Sequence, residues 1–198
     1  MRWSASDASA VCGLELQRSV DDGPFTVVAL FAGTATATER DHAFGHRYCY
    51  RVPATDCAGN TSPWKTSLTF VPDAIDARPD TLPHTGAWSQ LTAADSFNGT
   101  LTSSVTAGDS VSYTTTACRI AWIAPRDRDR GTAKVYVDGI QVATVNLVTG
   151  DRYEPYRRPR RVVWQKAWPT TAPHTIRIQV LSGRVDIDAL GVLRCSRP

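Results

Sequence analysis

The chain has 198 residues, 42% of them hydrophobic, and carries 22 Lys or Arg against 19 Asp or Glu for a net charge of +3. That is enough apolar material for a core in each of two small domains. It excludes a nucleic-acid footprint, which needs a concentrated basic face, and a helical membrane span, because no apolar run approaches the necessary length.

The charge is unevenly placed: residues 1–72 hold six basic against seven acidic side chains, and the remainder hold sixteen against twelve. Nineteen of the basic residues are Arg, a bias of high-GC coding, so an arginine cluster alone does not point to a ligand. Five cysteines without a CxxC pair or a Cys/His cluster argue against a structural metal and for disulfides in an oxidising compartment, leaving one thiol over. The opening MRWSASDAS has no apolar signal core. A secreted or cell-surface location is therefore expected with the signal placed elsewhere, as in a fragment of a larger protein.

From residue 2 to 71 the runs are short, alternating and bounded by turns, which is an all-β pattern. Leu14 and Leu16 alternate with Glu15 and Gln17, and Asp21-Asp22-Gly23-Pro24 turns the chain into residues 25–30. Tyr48, Tyr50 and Val52 then alternate with Cys49 and Arg51. With Trp3-x-Ala5-x-Asp7, LELQRSVDDGPF, Gly45-x-x-Tyr48-x-Tyr50-Arg51-Val52 and ATDCAGNTSPW, this stretch resembles a fibronectin type III module of bacterial secreted proteins. The resemblance implies a β-sandwich with Trp3 on the second strand and Tyr48 at the tyrosine corner. The first strand of that family has no counterpart before Trp3, which leaves either a truncated frame or an edge open to another chain. In that fold the strand at 13–19 lies antiparallel beside 48–54, so Cys12 and Cys57 share one end and are expected to be disulfide-bonded. Cys49 faces outward as an unreactive thiol.

Residues 72–84, PDAIDARPDTLPH, read as a stiff linker carrying Pro72, Pro79 and Pro83, with His84 a solvated loop residue. Residues 85–198 follow as a second module. Strands are expected at 88–91, 100–105, 110–115, 118–124, 161–167, 174–181 and 184–193. Between them, GTAKVYVDGIQVATVNL forms a hairpin about Asp138-Gly139, the pair that a type I′ turn favours. On it Ala133, Val135 and Val137 share one face, and Ile140, Val142, Ala143, Val145 and Leu147 carry the apolar side after the turn.

Gly86-x-Trp88, IAWIAP, RGTAKVYVDG, HTIRIQVL and GRVDIDALGVL make this half resemble the galactose-binding-like jelly-roll modules that end many actinobacterial extracellular proteins, close in shape to carbohydrate-binding modules. The expected architecture is thus two β-sandwiches in tandem, the second a jelly roll. Antiparallel succession of its strands brings the loop PRDRDR, the loop VTGDRYEPYRRP and Ser182-Gly183-Arg184 to one end. It brings Cys118 and Cys195, a second expected disulfide, to the other.

The charged end holds the candidate ligand-binding residues: Arg126, Asp127, Arg128, Asp129 and Arg130, with Tyr153, Tyr156 and Arg157 beside Asp151, Glu154 and Arg158. Sugars are gripped by a flat aromatic face and planar hydrogen-bonding groups, and these are those residue types. Trp122 shares parity with Ile120 and belongs to the core; Trp88 and Trp164 are more open, and Trp168 falls at the opposite end. Asp186 and Asp188 share a face, and Asp127 with Asp129 repeats the spacing, but no loop supplies the six oxygens Ca²⁺ takes. No metal and no cofactor are expected, and Asp188 is read as an acceptor of backbone hydrogen bonds.

There is no GxSxG, HExxH or Gly-rich phosphate loop. His42, His46, His84 and His174 fall in turns and linkers, so no catalytic residue is named and the chain is expected not to be an enzyme. The function expected is an accessory segment of a secreted bacterial protein, with a polysaccharide or cell-wall glycan as partner and neither nucleic acid nor membrane. A spacer or adhesion module without a small ligand is the alternative, and a polysaccharide-active enzyme a more distant one. The chain is expected to be monomeric or part of a longer polypeptide.

Overall fold

A computed structural model describes residues 3–6, 8, 10–149 and 158–197. The chain divides into two compact units, Met1–Pro72 with Cys195–Pro198, and Asp73–Arg194. Both are built of antiparallel strands, so the fold is all-β. Among the described residues no helix is long and apolar enough to cross a membrane.

The first unit contains β1 (Val11–Val20), β2 (Thr26–Ala32), β3 (Tyr48–Val52), β4 (Ala54–Asp56), β5 (Lys65–Thr66) and the start of β6 (Thr69–Asp76). β1 is its organiser. It pairs with β2 on one side and with β3 and then β4 on the other. The β1–β2 turn takes positive φ at both Asp21 and Asp22, 51° and 60°, which aspartate tolerates better than most side chains. Alternation buries Leu14 and Leu16 and leaves Glu15 and Gln17 half-exposed. A small core of Leu16, Tyr48 and Tyr50 results, flanked by Val20, Val28, Phe31, Val52 and Phe70.

Opposite ends of β1 and β4 set Cys12 and Cys57 with Cα atoms 4.9 Å apart, and the two are disulfide-bonded. Cys118 and Cys195 are also in disulfide form, and Cys49 is a half-buried free thiol. Trp3 is not on a strand, contrary to expectation. Its backbone N–H donates to Thr36 O (2.9 Å) and its indole Nε1 to Ala35 O (2.7 Å), so one backbone and one side-chain bond hold it.

Residues 72–84, read as a stiff linker, include residues packed with the second unit. β6 runs on to Asp76, and Ala77 and Leu82 are buried in the core of the second unit. The prolines conceal this: Leu82 N–H donates to Arg78 O and Thr81 Oγ1 to Asp76 O, a turn that folds the apolar residues inward.

The second unit continues with β7 (His84–Thr85), β8 (Ser89–Thr92), a 3-10 turn at Phe97–Gly99, β9 (Thr100–Ser104), β10 (Ser110–Arg126), β11 (Thr132–Val137), β12 (Ile140–Asn146), β13 (Arg158–Ser182), β14 (Val185–Ile187) and β15 (Ala189–Ser196). One sheet takes the order β12-β11-β13-β10-β15 with β7 added to β10, and a smaller sheet takes β14-β9-β8. Val185 and Ile187 of the smaller sheet share one apolar core with Trp122, Ile120, Val135, Ile176, Ile178 and Leu190 of the larger.

Two pairs of expected strands are fused. Residues 110–124 lie in the single strand β10, and 161–181 in β13, because the two pair with each other from Ser110↔Gln179 to Arg126↔Arg158. Local sequence hides this, since β13 contains Pro159, Pro169 and Pro173. β11 flanks β13 only from Ile176 to Ser182, so these prolines fall where no ladder bond is needed on that side.

The hairpin forms at Asp138-Gly139 with φ values of 52° and 82°. Ala133, Val135 and Val137 are buried on its first strand and Val145 and Leu147 on or just after its second. Ile140 and Val142, expected on the apolar side, are 70% and 38% exposed. Val142 is the extra residue of a bulge opposite Val135 and Tyr136 and so leaves the core face, whereas Ile140, paired with Val137, is exposed beside the turn.

Candidate functional site

β10, β11, β13 and β14 converge on one end of the second unit through two close backbone approaches. Asp127 N–H donates to Leu147 O (3.2 Å) and Thr149 N–H to Asp127 O (3.2 Å), which ties the loop after β10 to the end of β12. Arg126 Nη2 reaches Asn146 O at 2.7 Å. Gly131 N–H donates to Arg184 O at 2.7 Å, and a Cβ at Gly131 would stand 1.8 Å from Ser182 O. Only glycine permits that approach, and it brings Arg130 and Arg184 side by side.

These two arginines share one carboxylate. Asp186 is fully buried; its Oδ2 is ion-paired with Arg130 Nε and its Oδ1 accepts from Arg184 Nε at 2.9 Å. Arg130, with only 4% of its side chain exposed, also pairs with the exposed Asp129. The two arginines line a groove of about 380 Å³ together with Leu91, Thr92, Asp95 and Leu101. That volume is at the small end of ligand sites, which run from about 300 to 1,000 Å³. Arg160, in positive φ at 48°, donates from Nη2 to Ser96 O (2.8 Å) and so anchors the start of β13 on the turn beside Asp95. The groove thus presents a fixed Arg184 donor, a hydroxyl, a carboxylate and the apolar side chain of Leu91. Such a set can hydrogen-bond vicinal hydroxyls while covering the apolar face of a ring.

Of the expected ligand residues, Arg130 lines this groove, and Asp129 holds Arg130. Arg126 and Asp127 spend their polar groups on the neighbouring backbone, Asp127 Oδ1 accepting from Arg128 N–H at 2.8 Å, and Arg128 is exposed. Tyr153, Tyr156 and Arg157, with Asp151 and Glu154, lie outside the described residues. Arg184 was placed at this end by strand parity but not named as a ligand residue, and Arg160, Asp95 and Thr92 were not named as site residues. The alternation in Arg184-x-Asp186 is a local signal for Arg184 alone, since it puts both side chains on one face of an extended chain.

Asp188 Oδ1 accepts from Phe97 N–H at 2.7 Å and fixes the 3-10 turn. Trp122 is fully buried, and Trp88 and Trp164 are half-buried against the core. His84 is not a solvated loop residue: it lies in β7, its ring stacks on Trp88 (centroids 5.3 Å), and burial lowers its pKa. His174 lies in β13, stacks on Trp168 (3.8 Å) and places Nδ1 2.8 Å from Asp138 Oδ2. That pair holds the pKa of Asp138 below the usual carboxylate value through the His174 hydrogen bond and the Thr175 N–H.

No family model matches the chain. It is 31% identical over 126 residues to an A type blood N-acetyl-alpha-D-galactosamine deacetylase of Flavonifractor plautii. It is 32% identical over 129 residues to an A type blood alpha-D-galactosamine galactosaminidase of the same organism. The matches cover 64% and 65% of this chain but only 15% and 11% of those enzymes. A stretch of 126 residues within 198 takes in residues 73–126 wherever it starts, so it enters the second unit.

Similar solved structures include a family two carbohydrate esterase from Cellvibrio japonicus, at 14% identity and TM-score 0.46, covering 65% of this chain and 36% of that one. They also include the CBM36-1 domain of a multidomain xylanase from the hindgut metagenome of Trinervitermes trinervoides, at 14% identity and TM-score 0.39, covering 61% and 95%. The two curated relatives overturn the expectation that the chain is not an enzyme, because both are enzymes by name. A motif search detects catalytic groups only when they are contiguous in sequence. Carboxylates that act on sugars need only converge in space.

Proposed function

We propose that this chain is the sugar-holding segment of a secreted carbohydrate-active enzyme directed at galactosamine-containing glycans, and that the Arg130–Arg184 groove is where the sugar is held. One observation carries the reading. The two relatives differ in reaction, one a deacetylase and the other a galactosaminidase, yet their names share the sugar, and the stretches of this chain that they resemble both take in residues 73–126. What such a segment has in common between them is the substrate. The groove supplies matching chemistry, with Arg184 as donor on a floor held by Arg130, Thr92 and Asp95 for hydroxyls, and the exposed Leu91 against a ring face.

In this reading the second unit is a jelly-roll sandwich of the carbohydrate-binding type and the first is fibronectin type III-like. Tyr48 supports the latter, its hydroxyl lying 3.0 Å from Ala43 N and 3.4 Å from Ala43 O in the manner of a tyrosine corner. The disulfides fit an oxidising, extracellular setting.

Calorimetric titration of the 198-residue chain with N-acetylgalactosamine- and galactosamine-terminated oligosaccharides tests the reading. Binding weakened at least tenfold by Arg184→Ala is expected. Absence of heat with both ligands, or equal affinity in Arg184→Ala, would overturn it.

A further inference from the structure

The outer face of the first unit carries an ordered array that the groove does not use. Arg51 lies with its guanidinium 4.1 Å from the ring centroids of both Phe25 and Trp64, a slab of two aromatic rings with a planar cation between them. Its Nε donates to Gln17 Oε1 at 2.8 Å, and Gln17 Nε2 donates in turn to Glu15 Oε1 at 2.5 Å. Strand pairing sets these groups on one face, since Arg51 is opposite both Gln17 and Thr66, and Gln17 is opposite Val27. Trp64 remains 42% exposed and Val27 55% exposed.

Three features of this array narrow what would cover it. The indole is held by stacking on Arg51, so a ligand does not have to order it, and ordering costs are what weaken most surface aromatics as contacts. The polar groups beside it are a guanidinium, an amide and a carboxylate joined in one row, and Arg51 and Glu15 cancel each other's charge. The row is therefore electrically neutral and rich in planar donors and acceptors. A neutral ring with an apolar C–H face and equatorial hydroxyls matches it; a polyanion or a basic peptide would leave one of the two charges opposed.

We infer that this face is a second saccharide contact, with a neutral pyranose stacking on Trp64 and its hydroxyls reaching Gln17 and Glu15. The inference rests on the glycan reading above and extends it from one contact to two on the same chain, which raises avidity for multivalent glycan.

The test uses the 198-residue chain and a polyacrylamide conjugate of A-type blood-group trisaccharide, with apparent affinity read by surface plasmon resonance. Trp64→Ala and Gln17→Ala are each expected to weaken binding at least tenfold with unchanged melting temperature. Trp64→Phe should recover most of the loss, and the Arg184→Ala effect should multiply with theirs. Parent-like binding by Trp64→Ala and Gln17→Ala, alongside weakened binding by Arg184→Ala, would overturn the second contact and leave the groove standing. No binding by the parent chain would remove both. If Trp64→Ala instead abolished association with the rest of the full-length protein while glycan binding stayed intact, the face would be a protein-docking surface and the inference would fall.

Discussion

Arg130 and Asp186 form an ion pair almost without access to water, with 4% and 0% of their side chains exposed. Removing two charges from water costs several kcal/mol per ion, and their attraction offsets this only while both partners remain. Asp186→Asn would leave Arg130 buried beside a neutral amide and take the second guanidinium from its acceptor. We expect a loss of roughly 3 to 5 kcal/mol in urea unfolding of the second unit. Arg184→Ala, which removes the more exposed partner, should cost about 1 kcal/mol or less. Equal losses in the two variants would show that the carboxylate does not depend on Arg130.

Gly131 and Gly139 both flank β11 but for different reasons, and alanine substitution separates them. Gly139 has φ of 82° with open space around its Cβ position, so Gly139→Ala meets only the left-handed backbone penalty, about 1 to 2 kcal/mol. A Cβ at Gly131 would collide with the Ser182 carbonyl and with Gly183. We expect Gly131→Ala to push Arg130 and Arg184 apart, reducing both stability and glycan binding. Gly139→Ala should leave binding intact.

The contrast between these glycines also marks how much was legible in the sequence. Asp138-Gly139 is a local signal, and the turn, with the buried face of Ala133, Val135 and Val137, follows from it directly. Val142 departs from the expected face because a bulge is a property of the pair of strands, invisible along one of them. The approach of the loop after Arg126 to Ser182-Gly183-Arg184 follows from strand parity. The groove itself does not, because Arg130 and Arg184 are far apart in sequence and meet through the contact at Gly131. β10 and β13 likewise owe their length to each other: neither 116–117 nor 168–173 looks like a strand until it is paired.

His84 and His42 predict the response to acid. Burial lowers the pKa of each, chiefly by desolvation, and Arg18 adds to the effect at His42. The unfolded chain therefore takes up protons near pH 6.5, the ordinary histidine value, while the folded chain does not. With more protons bound in the unfolded state, stability rises with pH. It should be complete above about pH 6.5 and decline as the pH falls below that value towards the lowered folded pKa. A second decline, from the lowered pKa values of Asp21, Asp56 and Asp138, should begin only near pH 4. Melting temperatures between pH 8 and 5 should show the first slope. His84→Phe should flatten it, and an unchanged slope in that variant would mean that His84 is not the titrating group.

The first unit depends on its disulfide more than its size suggests. Its buried core is little more than Leu16, Tyr48 and Tyr50, a small apolar area against the entropy of ordering the residues around it. Cys12 and Cys57 close a loop with a sequence separation of 45, which in the chain-entropy model restricts the unfolded state by about 4 kcal/mol. That amount is a large fraction of the stability of any small domain. Cys12→Ser with Cys57→Ser should therefore unfold the first unit at ordinary temperatures. The second unit has its own apolar core and should keep its structure in the same variant. Amide exchange separates the outcomes: protection should vanish along β1 and β3 while persisting in β10 and β13. Retained protection in β1 would mean that the Tyr48 and Tyr50 packing holds the unit without the covalent link.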